Sequence, residues 1–164
     1  GIFSAEKGKE AVYSGLAQAG GSMELVGGVV AKDTDSDGDV DQVILTVANA
    51  LDGEAIDFTP TTDTGTLGIL SDEATKTHST IVSYSDKNQR VDDVAWTTTQ
   101  MGRGDSDTRL EPGEKFQVTV SLAALSPVLD AYDEFTLEIK PDKGTTITVT
   151  RTVPAKVDPV MNLK

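Results

Sequence analysis

The sequence predicts a mainly β protein, a β-sandwich that follows a short N-terminal helix. The first observation is period-two alternation: Phe116, Val118, Val120 and Leu122 are separated by polar residues, which places them on one face of a strand. The second is that eight or so segments of this kind are separated by turn residues, a spacing typical of sandwiches. The third is a helical pattern in residues 4–19, which Gly20 and Gly21 end.

The N-terminal residues are predicted to be the end of a helical stem. Ala5, Val12, Leu16 and Ala19 fall on one side of a helix, whereas the charged residues between them face water. We therefore divide the chain into a stem, residues 1–21, and a β-sandwich outer domain, residues 22–164.

The strands are predicted from alternation and from β-branched residues, in chain order. They are residues 23–31, 42–50, 78–85, 91–98, 116–122, 135–139 and 147–153. The second has apolar residues on both faces, so it is predicted to be central. The last three strands, with turn residues at 112–113 and 141–144, predict a core built from hairpins, and residues 122–131 are predicted to be a short connection or helical turn. Residues 51–69 are predicted to be loops and short edge strands, and the tail after Pro154 is predicted to be extended.

Composition excludes several functions. Fourteen basic and 27 acidic residues give a net charge of −13, which argues against binding to nucleic acid or to an anionic membrane. The absence of cysteine excludes disulfides, thiolate catalysis and Cys-ligated zinc. A Ser-His-Asp triad needs a histidine beside an activated serine, and the sequence contains no nucleophile-elbow motif. The single histidine, His78, is therefore predicted to lie at the surface or at a strand edge. The sequence therefore predicts no enzyme.

The sharpest local motif is the acidic segment 33–41. Its spacing matches the first nine positions of a calcium loop, with Asp33, Asp35 and Asp37 as side-chain ligands and Gly38 at the sharp turn. Asp39 would offer its carbonyl oxygen, and Asp41 would bind directly or through water. Ile44 stands where the loop normally has a bidentate Glu. Two interpretations stay open: a structural Ca²⁺ (or another divalent cation) site, or a solvated acidic loop tip.

Segments at both ends of the chain carry a family resemblance. They are residues 8–28 (GKEAVYSGLAQAGGSMELVGG), 110–120 (LEPGEKFQVTV), 135–154 (FTLEIKPDKGTTITVTRTVP) and 159–164 (PVMNLK). Together they resemble archaellins, the filament subunits of the archaeal motility organelle. The resemblance implies a pilin-like or immunoglobulin-like outer domain on the surface of an extracellular filament. It also implies a preceding apolar helix that builds the filament core, expected to be absent here, and lateral contacts with other subunits.

The resemblance also bears on metal binding, because archaellins as a family hold a metal ion in the outer domain. Asp105 and Asp107 lie just before the family-like segment 110–120, which makes them competitors to the first acidic loop. A plain polar turn is the alternative interpretation of these residues.

A rival function is a secreted calcium-dependent adhesion or carbohydrate-binding module. The acidic loop and the sandwich pattern are compatible with such a module. Aromatic residues make up only 5% of the chain, which argues against an aromatic surface on which sugar rings stack. Trp96 alternates with Val94 and Thr98, so we predict that it anchors the core instead.

Overall fold

The computed structural model describes residues 23–50, 54–62, 77–102 and 104–164. The predicted stem, residues 1–21, lies outside this part of the chain, as does much of the predicted loop region 51–69. Within the described ranges, no helix is long and apolar enough to cross a lipid bilayer.

The described residues form a mainly β structure of eleven strands in antiparallel sheets. The strands are β1 (Met23–Lys32), β2 (Gln42–Asn49), β3 (Ile56–Asp57), β4 (Ile81–Asp86), β5 (Arg90–Val91), β6 (Trp96–Met101), β7 (Arg109–Leu110), β8 (Lys115–Ser121), β9 (Glu134–Lys140), β10 (Ile147–Thr152) and β11 (Val160–Leu163). They make a five-stranded sheet in the order β11-β1-β2-β8-β6, a four-stranded sheet in the order β10-β9-β4-β5, and the small pair β3-β7.

Strand β2 is central in the larger sheet, as its two apolar faces predicted. It pairs with β1 from Met23↔Asn49 to Lys32↔Gln42, and with β8 from Gln42↔Ser121 to Ala48↔Lys115. The β1–β2 register shifts between Val26 and Val30, where Gly27 adopts a φ of 72°. Glycine suits such an irregularity because it enters the left-handed region without steric penalty. The tail is extended and pairs with β1 as β11.

The last three strands do not form consecutive hairpins. Strands β9 and β10 do pair as a hairpin, from Ile147↔Ile139 to Thr152↔Glu134, but β8 lies in the other main sheet. Residues 122–133 connect the two sheets, and Leu125 and Leu129 within this connection are buried. Period-two alternation predicts which face of a strand a residue occupies and not which strand it pairs with, so the sequence did not show that β8 and β9 belong to different sheets.

The predicted strand 91–98 is also split between the sheets. Arg90 and Val91 pair with β4, after which the chain crosses over and β6 pairs with β8 from Trp96↔Val120 onwards. Val94 and Ala95 are buried in the crossing. The apolar residues of the predicted strand 91–98 therefore belong partly to a buried connection between the sheets and partly to β6.

Both main sheets contribute side chains to one hydrophobic cluster. Trp96 is almost fully buried, which confirms its predicted place in the core. The ring of Phe58 lies edge-on to Trp96 with centroids 5.7 Å apart, and edge-on to Phe116 at 6.0 Å. Such T-shaped pairs stabilise a core beyond the area that they bury.

His78 is buried and is not the surface or strand-edge residue that the sequence predicted. Its Nε2 atom lies 3.0 Å from each carboxylate oxygen of Asp93. The sequence places His78 at the start of a predicted strand, but alternation along a strand does not identify a partner fifteen residues away, so the pairing with Asp93 was not predictable.

We expect Phe58→Ala to lower the free energy of unfolding by about 3–5 kcal/mol, because it removes a fully buried ring between two aromatic neighbours. Urea denaturation measures this change. Tyr132→Ala removes an aromatic ring that is 74% exposed, so it is the matched control and should change stability by less than about 0.5 kcal/mol. Equal losses in the two variants would contradict the assigned core.

Candidate metal sites in two acidic loops

Two acidic loops lie at opposite ends of the β1–β2 hairpin. Residues 33–41, the distal loop, join β1 to β2 beyond the Lys32↔Gln42 pair. Residues 104–114, the proximal loop, lie beside the other end, where Asn49 N–H donates to the Glu114 carbonyl (3.4 Å) and Gly113 N–H donates to the Asn49 carbonyl (3.3 Å). The eight residues of β2 separate the loops by about 25 Å, at about 3.4 Å per residue.

The distal loop folds around the carboxylate of Asp33, which is buried. Its Oδ1 accepts from Ser36 N–H (2.7 Å) and its Oδ2 accepts from Gly38 N–H (3.0 Å). Ser36 and Gly38 both have positive φ angles, 65° and 95°, and glycine is the residue that adopts this conformation most readily. Asp33 therefore organises the loop backbone.

Asp41 closes the distal loop from its other side. Its Oδ2 accepts from both Thr34 N–H (2.6 Å) and Thr34 Oγ1 (2.8 Å). Its backbone N–H donates to the Lys32 carbonyl (2.8 Å), and its own carbonyl accepts from Leu122 N–H (2.7 Å). Asp41 is thus buried and held in place by β1 and by the chain after β8.

Four of the five predicted distal residues are brought together. Asp35, Asp37, Asp39 and Asp41 each place a carboxylate oxygen so that these atoms all lie within 4.8 Å of one another. Asp39, expected to offer its carbonyl oxygen, also has its carboxylate in this group. Asp33 is not one of the four, since its oxygens face the loop's own N–H groups.

The crowded carboxylates disturb one another's titration. The pKa of Asp39 is raised from 3.8 to about 7, first by partial burial, then by its hydrogen bond with Asp37 and by the nearby negative charges. Burial and Asp37 also raise the pKa of Asp35, while the hydrogen bond with Asp39 lowers the pKa of Asp37. Asp39 therefore titrates near neutral pH beside the Asp37 carboxylate, at a place where a cation would stabilise both charges.

The proximal loop gathers the two predicted residues and two that the sequence analysis missed. Carboxylate oxygens of Asp105, Asp107, Glu111 and Glu114 lie within 4.8 Å of one another. Glu111 and Glu114 approach through a turn in which Glu114 N–H donates to the Glu111 carbonyl (3.0 Å) and Glu111 N–H donates to Glu114 Oε1 (2.8 Å). The Pro112–Gly113 pair between them signals this turn in the sequence.

Gln100 on β6 connects the two halves of the proximal loop. Its Nε2 donates to Glu114 Oε2 (2.8 Å), and its Oε1 accepts from Ser106 N–H (2.9 Å). Gly104 lies against this side chain: a Cβ atom there would be 1.5 Å from Gln100 Nε2. A side chain at position 104 would therefore displace Gln100 from the loop.

The proximal carboxylates also disturb one another's titration. The hydrogen bond between Asp105 and Glu111 lowers the pKa of Asp105 and raises that of Glu111, and the negative charge of Asp105 raises the Glu111 pKa further. Both clusters offer oxygen ligands alone, the set that hard cations such as Ca²⁺ and Mg²⁺ prefer.

Comparisons with known proteins place the chain in a family. The family model for archaeal-type flagellin matches residues 1–151. The chain is similar to probable flagellin 1 of Archaeoglobus fulgidus, with 33% identity over 99% of this chain and 80% of the relative. It is also similar to probable flagellin 1 of Aeropyrum pernix, with 28% identity over 96% of this chain and 79% of that relative.

Two solved structures share the fold. One is the archaeal flagellum of Methanospirillum hungatei, with a TM-score of 0.59 and 22% identity, covering 99% of this chain and 82% of that one. The other is a crystal structure of an archaeal flagellin from Methanocaldococcus jannaschii, with a TM-score of 0.64 and 12% identity, covering 87% of this chain and 96% of that one. With the match to residues 1–151 and a relative that is 33% identical, these findings show that the chain belongs to the archaeal-type flagellin family.

Proposed function

We infer that this chain is a structural subunit of the archaeal flagellum filament, located outside the cell, and that it is not an enzyme. The family match over residues 1–151 carries this conclusion. The subunit assembles with other subunits into the filament, which serves motility. The family assignment also decides against the rival function, a secreted adhesion or carbohydrate-binding module.

The proposal extends to the layout of the subunit. Residues 22–164 form an outer domain in which the two main sheets pack as a β-sandwich, and residues 1–21 form the end of a helical stem. The hydrophobic cluster that the two sheets share supports the first part. The spacing of apolar residues in the segment 4–19 supports the second. Contacts between copies would then use the helical stem and the lateral faces of the outer domain.

We further propose that the acidic loops bind divalent cations, Ca²⁺ above all. In the distal loop the ligands are Asp35, Asp37, Asp39 and Asp41, and Asp33 holds the loop backbone. In the proximal loop they are Asp105 and Asp107, joined by Glu111 and Glu114. The close approach of four carboxylate oxygens in each loop supports this assignment, because such groups repel one another unless a cation or a proton neutralises them.

The first test of the metal proposal is calcium-dependent stability. At a Ca²⁺ concentration about one hundred times Kd, binding at one site adds about 2.7 kcal/mol to the free energy of unfolding, so the melting temperature rises relative to chelator. We expect Asp37→Asn to remove the increase in melting temperature that comes from the distal loop, and Glu111→Gln to remove the increase that comes from the proximal loop. Asparagine at position 37 keeps an acceptor oxygen for Asp39 N–H.

The matched control for these variants is Asp92→Asn. Asp92 is an exposed carboxylate outside both loops, and its side chain pairs with Arg90. This variant should keep the full calcium response. Identical melting curves of the unmodified protein in calcium and in chelator would refute both sites.

A second test uses the pH dependence of stability without divalent cations. Since the pKa of Asp39 is raised from 3.8 to about 7 on folding, the folded protein binds the extra proton between these values. This contribution to stability is complete below 3.8 and is lost as the pH rises through about 7. We expect the free energy of unfolding to fall from about pH 5 to about pH 8, and Asp39→Asn to flatten the part of this fall near pH 7. Denaturant titrations across the range measure it, and a fall that Asp39→Asn leaves unchanged would contradict the assignment to Asp39.

The filament role itself is tested in the source cell. Filaments sheared from the surface should contain peptides of this chain by mass spectrometry, and deletion of its gene should remove or shorten them. The wild-type gene should restore them. Recovery of the chain as a free protein in the medium, with unchanged filaments in the deletion strain, would refute the role.

A further inference from the structure

We propose that the outer side of the five-stranded sheet contacts a second copy of this chain in the filament. Two rows of uncharged side chains cross the middle of this side, and we call them together the uncharged face. One row is Asn162, Val30, Ile44, Thr119 and Thr97, and the other is Val26, Thr46, Gln117 and Thr99. The proposal rests on the filament role given above and names one surface that makes the lateral contact.

Strand register and burial define the uncharged face. Members of a row lie directly opposite one another on neighbouring strands, so their side chains leave the sheet on the same side. Leu45, the neighbour of Ile44 on β2, is buried in the core, whereas Ile44 itself is only partly buried. On the two edge strands, Thr97 and Thr99 of β6 and Asn162 of β11 are exposed. The face is therefore accessible at both edges of the sheet.

Charge is confined to the ends of this side of the sheet. Among the described residues of its five strands, the charged side chains are Glu24 and Lys115 in the proximal end row and Lys32 in the distal end row. The chain as a whole is 25% charged and has a net charge of −13. Juxtaposed like charges oppose association, so two such copies approach with least repulsion through a surface that carries no carboxylates.

The outer side of the four-stranded sheet has the opposite character. Glu138 lies in the middle of β9, with Arg90 Nη1 3.7 Å from its Oε1 and Lys140 Nζ 3.9 Å from its Oε2. Glu134 is exposed at the start of the same strand. The two outer sides belong to one fold and meet the same solvent, so solubility does not account for the difference between them. A protein partner on the uncharged face accounts for it, because charged residues are depleted where interfaces are buried.

Exposed apolar side chains flank the uncharged face. Among the described residues, the large hydrophobic side chains that are exposed are Met101, Val128, Tyr132 and Val160. Met101 on β6 and Val160 on β11 point to the same side as the uncharged face, at its two edges. Thr46 Oγ1 donates to Met101 Sδ (3.8 Å), so the methionine lies against the face. An adaptable methionine and an exposed valine add apolar area that a partner would bury.

The size of the face fits a contact between copies that are already held together. Five strands about 4.8 Å apart, and a central strand of eight residues at about 3.4 Å each, span about 600 Å². A stable complex of free proteins buries about 800 Å² on each partner. A filament holds its subunits side by side, which raises their effective concentration and makes a smaller contact sufficient. A second copy of the chain therefore fits both the charge and the size of this face.

The first experiment is site-specific cross-linking in assembled filaments. The chain has no cysteine, so Thr99→Cys provides a unique thiol for a benzophenone maleimide. We expect irradiation to give covalent dimers of the chain, and the cross-linked peptide of the neighbour identifies the opposing surface. Thr148→Cys is the matched control, because Thr148 is also an exposed threonine on an edge strand, β10, and lies opposite Glu138 on the other sheet. It should give a weaker dimer band or none.

The second experiment separates the contact from subunit stability. Thr99→Lys and Thr148→Lys each add one positive charge to an exposed strand position, so both reduce the general repulsion between acidic copies equally. We expect filaments with Thr99→Lys to dissociate at a lower temperature than those with Thr148→Lys, because the new charge is desolvated in the contact. The two variants should melt at the same temperature as isolated chains, since neither residue is part of the core.

The outcomes distinguish the two proposals. If the wild-type chain is absent from filaments, the filament role fails. If filaments form but the label at position 99 gives no more dimer than the label at position 148, the contact through the uncharged face is refuted. Equal dissociation temperatures for Thr99→Lys and Thr148→Lys would also refute it, as would cross-links that lead only to other proteins or to glycans.

Discussion

The pairing of β2 with β8 positions both acidic loops. The two strands run in register from Gln42↔Ser121 to Ala48↔Lys115. Just beyond one end of this ladder, the Asp41 carbonyl accepts from Leu122 N–H. Just beyond the other end, Asn49 N–H donates to the Glu114 carbonyl. A slip of one residue would turn every buried side chain of β2 towards the opposite face, so the same burial that fixes the core also fixes the carboxylates.

Negative charge is the main opposing constraint on this protein. Four carboxylates meet in each loop, and the whole chain carries a net charge of −13. Within one subunit, uptake of a proton by Asp39 and the backbone N–H groups that donate to Asp33 relieve part of the repulsion. Between copies in a filament the repulsion adds up, and bound cations would reduce it.

Features set by local pattern were predictable from the sequence, and features set by long-range pairing were not. Period-two alternation correctly predicted which residues of β8 and β9 are buried, such as Val118 and Leu137. Apolar residues on both faces of β2 correctly predicted that it is a central strand. Neither pattern identifies the strand that a given strand pairs with, so the placement of β8 and β9 in different sheets was not predictable. Glu114 was not predicted for the same reason: its place in the proximal cluster depends on Gln100, which lies on another strand fourteen residues earlier in the sequence.

The distal loop and the connection between β8 and β9 support one another. Leu122 N–H donates to the Asp41 carbonyl, and Val40 N–H donates to the Leu129 carbonyl, so residues 122–129 are attached to the distal loop at both ends. A cation held by Asp35, Asp37, Asp39 and Asp41 would restrain Val40 and Asp41 together, and through these two hydrogen bonds it would restrain the segment that displays Val128. Ion binding would thus order one stretch of backbone beyond the loop itself, without any change in the strands of the core.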